Sequence, residues 1–390
     1  MTTDADWLLT PGAIRAQCGA LFDLGVAGKL AHFSVDLGRL PDCAAEVVTT
    51  IRAAYPDLNV PPHARWRHFV LGGQDRWAPH AARYETPRAR ARAECALASL
   101  SVLLDAGAGA DWSYRDPATG TGFARSEGLA LASLDMVVAG AFGAAGAADL
   151  AGFGADDLAA GFQVDAQNPL AGLAGRARLI SDLGAVVDAR PDIFGDAREL
   201  GRIADHLLAL ATPDLPAARI LTTLLDALGP IWPATPRLEG RALGACWPHP
   251  MAPGTGLVPF HKLSQWLSYS LIEPLERAGA RITGLDALTG LAEYRNGGRF
   301  LDTGVISLKT AVSTPPAPQD PLVVEWRALT VVLLDRVADL VRETLGKTAA
   351  EMPLAAVLEG GTWATGRRRA AAARPGGPPP IAIASTGTVF

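Results

Sequence analysis

The stretch "VEWRALTVVLLDRVADLVRETLGK", residues 324–347, decides the fold class. Its apolar residues recur three and four positions apart, which is the spacing of one face of an α-helix. Glu325, Asp335, Arg336, Asp339, Arg342 and Glu343 read as its solvent stripe, whereas Arg327 projects onto the side of Val331, Leu334 and Ala338. A guanidinium turned from water requires an anion, because an unpaired buried charge is costly. Glu293, Asp302 or a ligand phosphate can supply it, and an internal salt bridge explains Arg327 as well as a ligand contact does.

The same period recurs at Ile14, Cys18, Leu21 and Phe22, and again at Leu200, Ile203, Leu207 and Leu208. Strand signals are few: "IAIAS" (381–385) alternates, and "RWRHFV" (65–70) is a second candidate. The expectation is a mostly α-helical protein with few short strands. Proline- and glycine-rich turns separate the helices, and none is long enough to mark a clean linker. We therefore expect one compact helical unit, with a division into lobes near residues 1–165 and 166–366 as an option, and an extended C-terminal strap over 367–390.

With 390 residues, of which 49% are hydrophobic and 19% charged, the chain can bury a large core. Its 35 basic and 40 acidic residues, net charge -5, create no global field for a polyanion, so nucleic acid is not an expected partner. Cys18, Cys43, Cys95 and Cys246 form no CxxC pair and have no zinc-like spacing, so neither a metal nor a disulfide framework is expected and a reducing cytoplasm fits. The start "MTTDADWLLTPGAIRAQ" lacks the pattern of a secretory signal. The run "LALASLDMVVAGAFGAAGAA" (129–148) is long enough to cross a bilayer, but its small residues and Asp135 read as a tightly packed buried helix. No membrane is expected.

Two segments concentrate the polar chemistry. In "GLVPFHKLSQWLSYSLIEPLERAG" (256–279), Leu263, Leu267 and Leu271 form one helical face. Lys262, Gln265, Trp266 and Tyr269 form another, at i, i+3, i+4 and i+7. An amine, an amide and two aromatics can line a polar pocket, with Lys262 as a point charge for an anion; an ordinary buried helix with a snorkelling Lys reads equally well. In "LTGLAEYRNGGRFLDTGV" (288–305) the glycines allow close packing around Glu293, Arg295 and Asp302. Asp286 suits a helix N-cap and Gly297 a helix stop, with a second short helix ending at Gly304. On one helix Asp286 and Glu293 would lie roughly 10 Å apart along the axis, beyond the roughly 5 to 9.5 Å of paired glycosidase carboxylates. Glu293 is thus the better candidate for chemistry, with Asp286 organising the turn. Asp302, near a helix end that disfavours its charge, is either bonded to a nearby arginine in a structural role or held in the site as a substrate-binding residue.

Near the N-terminus, "PPHARWRHFVLGGQDRW" (61–77) gathers His63, Arg65, Trp66, Arg67, His68, Arg76 and Trp77, with Arg125 further on. Such a loop can hold a phosphate or staple a surface by Arg–Trp stacking. "GRRRAAAARPGGPPP" (366–380) reads as a solvated basic tail.

Taken together, "HARWRHF" (63–69), "GLVPFHKLSQWLSYSLIEPLE" (256–276), "LTGLAEYRNGGRFLDTGV" (288–305), "VEWRALTVVLLDR" (324–336), "LEGGTWATGR" (358–367) and the terminal "GTVF" resemble the uracil catabolism protein 4 family nearly end to end. Thr386 departs from the Asp expected there. The resemblance implies a uracil-degrading route that passes through a nucleotide and a ribosylurea-type intermediate and releases urea. The order of Phe260, Lys262, Gln265, Asp286, Leu288, Thr289, Tyr294, Arg295, Gly304, Val305 and Arg327 is also similar to the queuosine 5'-phosphate N-glycosylase (queuosine salvage) family. That similarity implies a helical fold related to helix-hairpin-helix DNA glycosylases. It also places Lys262, Asp286 and Glu293 on active-site positions, with Glu293 one methylene longer than the expected Asp.

The reaction these resemblances imply is hydrolysis of an N-ribosidic bond in a sugar-phosphate substrate, phosphoribosylurea to urea and ribose 5-phosphate, without a cofactor. Glu293 would stabilise the sugar cation or orient water, and Asp286 would support it. Lys262, Arg295 and Arg327 would hold the phosphate, Trp266 and Tyr269 would shape the sugar pocket, and His249 or His261 would protonate the leaving group. Two other readings stand beside it: an amidohydrolase acting on a ureido ring-opening product, and a non-catalytic partner that binds the nucleotide intermediate.

Overall fold

The computed structural model describes residues 3–109, 111–232 and 236–384. Thr386 and the terminal "GTVF" lie outside them. The protein is mostly α-helical, and among the described residues the strands are two or three residues long, arranged in six separate two-stranded pairs. Two compact units share the chain discontinuously: one takes in residues 3–63, 236–265 and 284–384, the other residues 64–232 and 266–283.

The first unit is built on the helix Pro321–Leu345. Pro321 stands at its first turn, where a missing N–H costs nothing, and Gly346 closes it in the left-handed conformation at φ 63°. Its Val323, Trp326, Leu329, Leu333, Leu334, Val337 and Val341 are buried. They pack on the helices Pro11–Val26, Leu40–Ala54 and Tyr294–Asp302. Two antiparallel pairs flank this bundle, Phe33–Val35 with Ile306–Leu308 and Cys246–Pro248 with Leu257–Pro259.

The helix Trp363–Ala373 lies against Tyr294–Asp302 at an unusually close approach. A Cβ on Gly366 would stand 2.3 Å from the Arg295 carbonyl oxygen. The obstacle is backbone, so relief requires moving a helix rather than turning a rotamer. Gly366→Ala should therefore destabilise the protein by about 3 kcal/mol or more, read as a fall in denaturant midpoint with an unchanged slope; a midpoint equal to wild type would refute the close packing.

The second unit is assembled around the helices Pro87–Leu103, Arg125–Val138, Leu173–Ala189 and Ala217–Leu228. The helix Lys262–Arg277 begins in the first unit and continues in the second. Here the basic-aromatic loop is internal: Arg65 is fully buried against Asp105 and Ser101. Trp66 donates to the Ser270 carbonyl at 2.7 Å, Arg67 pairs with Glu273 and Arg76 holds Asp116 through two bonds. In the first unit His63 lies 2.6 Å from Glu359.

Three local expectations need correction. Residues Arg65–Phe69 form a 3-10 helix, leaving only Val70–Leu71 extended, because Trp66 and Phe69 must both face the core. No strand forms over 381–384, the described part of "IAIAS"; a lone alternating run has no neighbouring edge to pair with. The run 129–148 is not one helix. It ends at Val138 and reopens at Ala147 after a turn at Gly140, φ 76°, with Asp135 accepting from the Tyr114 hydroxyl at 2.8 Å. Among the described residues no helix is long and apolar enough to cross a membrane.

Candidate functional site

Glu293, in the first unit, is the N-cap of the helix Tyr294–Asp302. One carboxylate oxygen accepts from the Arg295 N–H at 2.7 Å and the other from the Asn296 N–H at 2.6 Å. Both amides belong to the first turn, whose donors have no intrahelical partner, and the helix dipole adds to the attraction. Burial nevertheless raises the Glu293 pKa above its ordinary value of 4.5, against the pull of the two amides and of Lys262 and Arg295. The residue keeps partial solvent exposure, although desolvation is the largest influence on its carboxyl. Lys262 and Tyr294 are also partly exposed.

Arg327 approaches the same loop from the long helix. Its Nε donates to the Ala292 carbonyl at 3.3 Å, and its guanidinium carbon lies 4.3 Å from the centre of the Phe260 ring. Burial pushes its pKa down to about 9. A two-way bond fixes the start of the Lys262–Arg277 helix against the Glu293 loop. Gln265 Nε2 donates to Thr289 Oγ1 at 3.0 Å, and the Thr289 N–H donates back to Gln265 Oε1 at 3.3 Å. Lys262, Glu293 and Arg327 are thus supplied by three segments, two of them locked together by Gln265 and Thr289.

Other candidates are held elsewhere. Asp286 is not a helix N-cap for its own segment; it lies inside the short 3-10 turn Leu285–Ala287. It accepts from Arg342 at 2.5 Å and from the Leu354 N–H at 2.8 Å, so it ties two later segments together. Gly297 does not stop a helix. It lies within Tyr294–Asp302, and a Cβ there would come 2.8 Å from both Trp326 Nε1 and Thr330 Oγ1. A single helix therefore replaces the two expected, ending at Thr303 and Gly304, φ 73°.

Arg295 donates to the Gly377 carbonyl at 2.9 Å, and Asp302 takes two 2.7 Å bonds from Arg374. Both contacts fasten the segment 374–377 to this helix. Trp266, in the second unit, meets His68 edge-on, and the Arg65 guanidinium lies 5.3 Å from its ring; Tyr269 belongs to the same unit.

The two histidines differ. His261 is buried with Nε2 3.0 Å from the Leu8 carbonyl, and burial pushes its pKa down to about 4, opposed by that bond and aided by Arg327. Near neutral pH its remaining proton is committed to Leu8. His249 accepts the Met251 N–H on Nδ1 at 3.2 Å, leaving Nε2 3.5 Å from Glu325. Glu325 itself is a correction: it is fully buried rather than on a solvent stripe. Its carboxylate receives the Ala31 and His32 N–H groups at 3.2 and 3.0 Å, with His32 Nδ1 at 3.1 Å. Among the described residues no group of three His, Cys, Asp or Glu side chains is placed to hold a metal ion.

Residues 7–390 match the family described as "Protein of unknown function (DUF1688)". The chain is similar to "Protein urg3" of Schizosaccharomyces pombe, 37% identical over 98% of each chain. It is also similar to "Uracil catabolism protein 4" of Lachancea kluyveri, 35% identical over 93% of each.

Proposed function

Because the chain belongs to the uracil catabolism protein 4 family, we propose that it acts in uracil catabolism by hydrolysing the N-ribosidic bond of phosphoribosylurea, giving urea and ribose 5-phosphate. The observation that carries this reading is the half-buried carboxylate of Glu293 in the field of Lys262, with Arg327 on the adjoining carbonyl. Cleavage of such a bond places positive charge on the sugar as the base departs. A carboxylate in an enclosed site stabilises that charge more strongly than one in water, and it can orient the attacking water. Lys262 and Arg327 supply the cations for the 5-phosphate. Asp286, neutralised by Arg342, acts at a distance by holding the loop that carries Glu293. The glycosylase-like architecture implied by the sequence resemblance belongs to the same proposal.

The test is direct: purified protein is incubated with phosphoribosylurea while urea and ribose 5-phosphate are measured. The expected result is equimolar release of both, and no urea above a protein-free blank overturns the reading. One observation favours a second reading, binding without turnover: both Glu293 oxygens already accept backbone N–H bonds. Saturable heat on titrating phosphoribosylurea, with no urea released, would select it.

A further inference from the structure

One arginine of the first unit has no role in the site described above. Arg299 is fully buried in the helix Tyr294–Asp302, with its guanidinium carbon 4.7 Å from the Phe300 ring. Among the described residues its side chain makes one hydrogen bond, a long one from Nη1 to the Cys43 carbonyl at 3.5 Å. Nε and Nη2 have no hydrogen-bond partner among the described residues. These two nitrogens form the side-on edge of the guanidinium, the fork that receives two oxygens of one anion. Elsewhere in this protein the same edge is filled: Arg15 uses it on Asp335, Arg190 on Asp192 and Arg281 on Asp214.

Three carboxylates of the first unit, one of them on the same helix, are committed to other groups. Asp302 is held by Arg374, Glu46 by Arg369, and Glu293 by its two backbone amides. A buried positive charge with an empty fork is a costly arrangement for the free protein alone. Three residues earlier, one helical turn away on the same face, Asn296 is buried with Nδ2 on the Leu291 carbonyl and Oδ1 without a partner. Side chains at i and i+3 are neighbours on a helix. The pair therefore presents one positive charge, two donors and one acceptor.

We propose that Arg299 and Asn296 form an oxyanion site for the monoanion of a phosphate, distinct from the cations Lys262 and Arg327. A singly protonated phosphate matches the unused groups: two of its oxygens accept from Nε and Nη2, and its P–OH donates to Asn296 Oδ1. A carboxylate or sulfate can fill the fork but brings no proton for the asparagine. A neutral urea or amide leaves the charge uncompensated.

The test uses the full chain and inorganic phosphate, followed by thermal unfolding and calorimetry at fixed ionic strength. Ligand binding to the native state raises the unfolding temperature with the logarithm of ligand concentration. Phosphate should stabilise the protein more at pH 6 than at pH 8, and more than sulfate or acetate at either pH. Arg299→Met should weaken phosphate binding roughly 100-fold, and Arg299→Lys, which keeps charge without the fork, roughly tenfold. Asn296→Leu should erase the preference for phosphate over sulfate. These variants are read in a Lys262→Met background, which removes a cation of the proposed substrate site, and Lys262→Met alone should keep a phosphate response from this one.

In the absence of phosphate, Arg299→Met should be neutral or stabilising, since it removes an unsatisfied buried charge. In the Lys262→Met background, a phosphate response that survives the added Arg299→Met substitution, or that is missing before it, overturns the proposal. If Arg299→Met fails to fold, the Arg299→Lys and Asn296→Leu titrations decide the question.

Discussion

Glu293→Gln is expected to lower phosphoribosylurea turnover by roughly 10²- to 10⁴-fold, the usual contribution of a carboxylate acting on the reacting centre. Stability should fall by only about 1 kcal/mol, the typical value of an N-cap. The two effects separate because the carboxylate has two duties. As a cap it accepts from the Arg295 and Asn296 amides, and glutamine can satisfy one of these through its remaining oxygen. As a charge it has no substitute. Glu293→Asp should keep the charge and a good cap while moving the carboxyl back by one methylene, so its turnover should fall between the other two proteins. Equal activity in wild type and Glu293→Gln would show that the group is a cap alone.

The pH dependence follows from the sign of the shift. The folded pKa of Glu293 is raised above 4.5, so the folded state binds this proton more tightly than the unfolded chain does. The stability that protonation contributes is complete below 4.5 and is lost as pH rises through the folded value. Turnover, which needs the carboxylate, should rise over that same displaced range. An acid limb centred at 4.5 would contradict the enclosed setting.

Sequence periodicity was enough to establish the helical class and the long helix, because Pro321 and Gly346 mark its ends and its apolar residues hold one phase. The inward position of Arg327 was legible for the same reason. Local roles around Glu293 were less legible. Asp286 and Glu293 each precede a turn, and sequence favours aspartate as a cap; the cap went to Glu293 because Arg342 and the Leu354 amide hold Asp286. Gly297 resembled a terminator, yet its missing side chain serves the approach of Trp326 and Thr330 rather than a change of backbone direction. The contacts of Arg295 and Asp302 with residues 374–377 join positions more than 70 apart in sequence, which no local pattern encodes. Trp266 and Tyr269 share a helical stripe with Lys262, but the helix passes from one unit into the other between Gln265 and Trp266.

Glu325 shows why a charge on a helix cannot be assigned to solvent from spacing alone, and it carries the largest stability effect we expect. Eleven residues, close to three turns, separate it from exposed Arg336, so the two share an azimuth. The covering differs along the helix: Ala31, His32 and His249 close over Glu325, and nothing comparable encloses Arg336. Four positions on from Glu325 stands the buried Leu329, a sign that this end of the stripe faces inward.

Glu325→Ala removes the buried acceptor of the Ala31 and His32 N–H groups. Breaking such a buried arrangement costs about 3–5 kcal/mol. Burial raises the Glu325 carboxyl pKa, but the nearby His249 and His32 side chains and the His32 amide outweigh it, so the folded value is lowered. Its stabilisation is therefore present above 4.5 and is lost as pH falls through the lower folded value. Denaturant unfolding of wild type and Glu325→Ala should show the full difference at pH 7 and a smaller one below pH 4.5. A difference under about 1 kcal/mol at pH 7 would mean that this carboxylate is no more valuable than an exposed one.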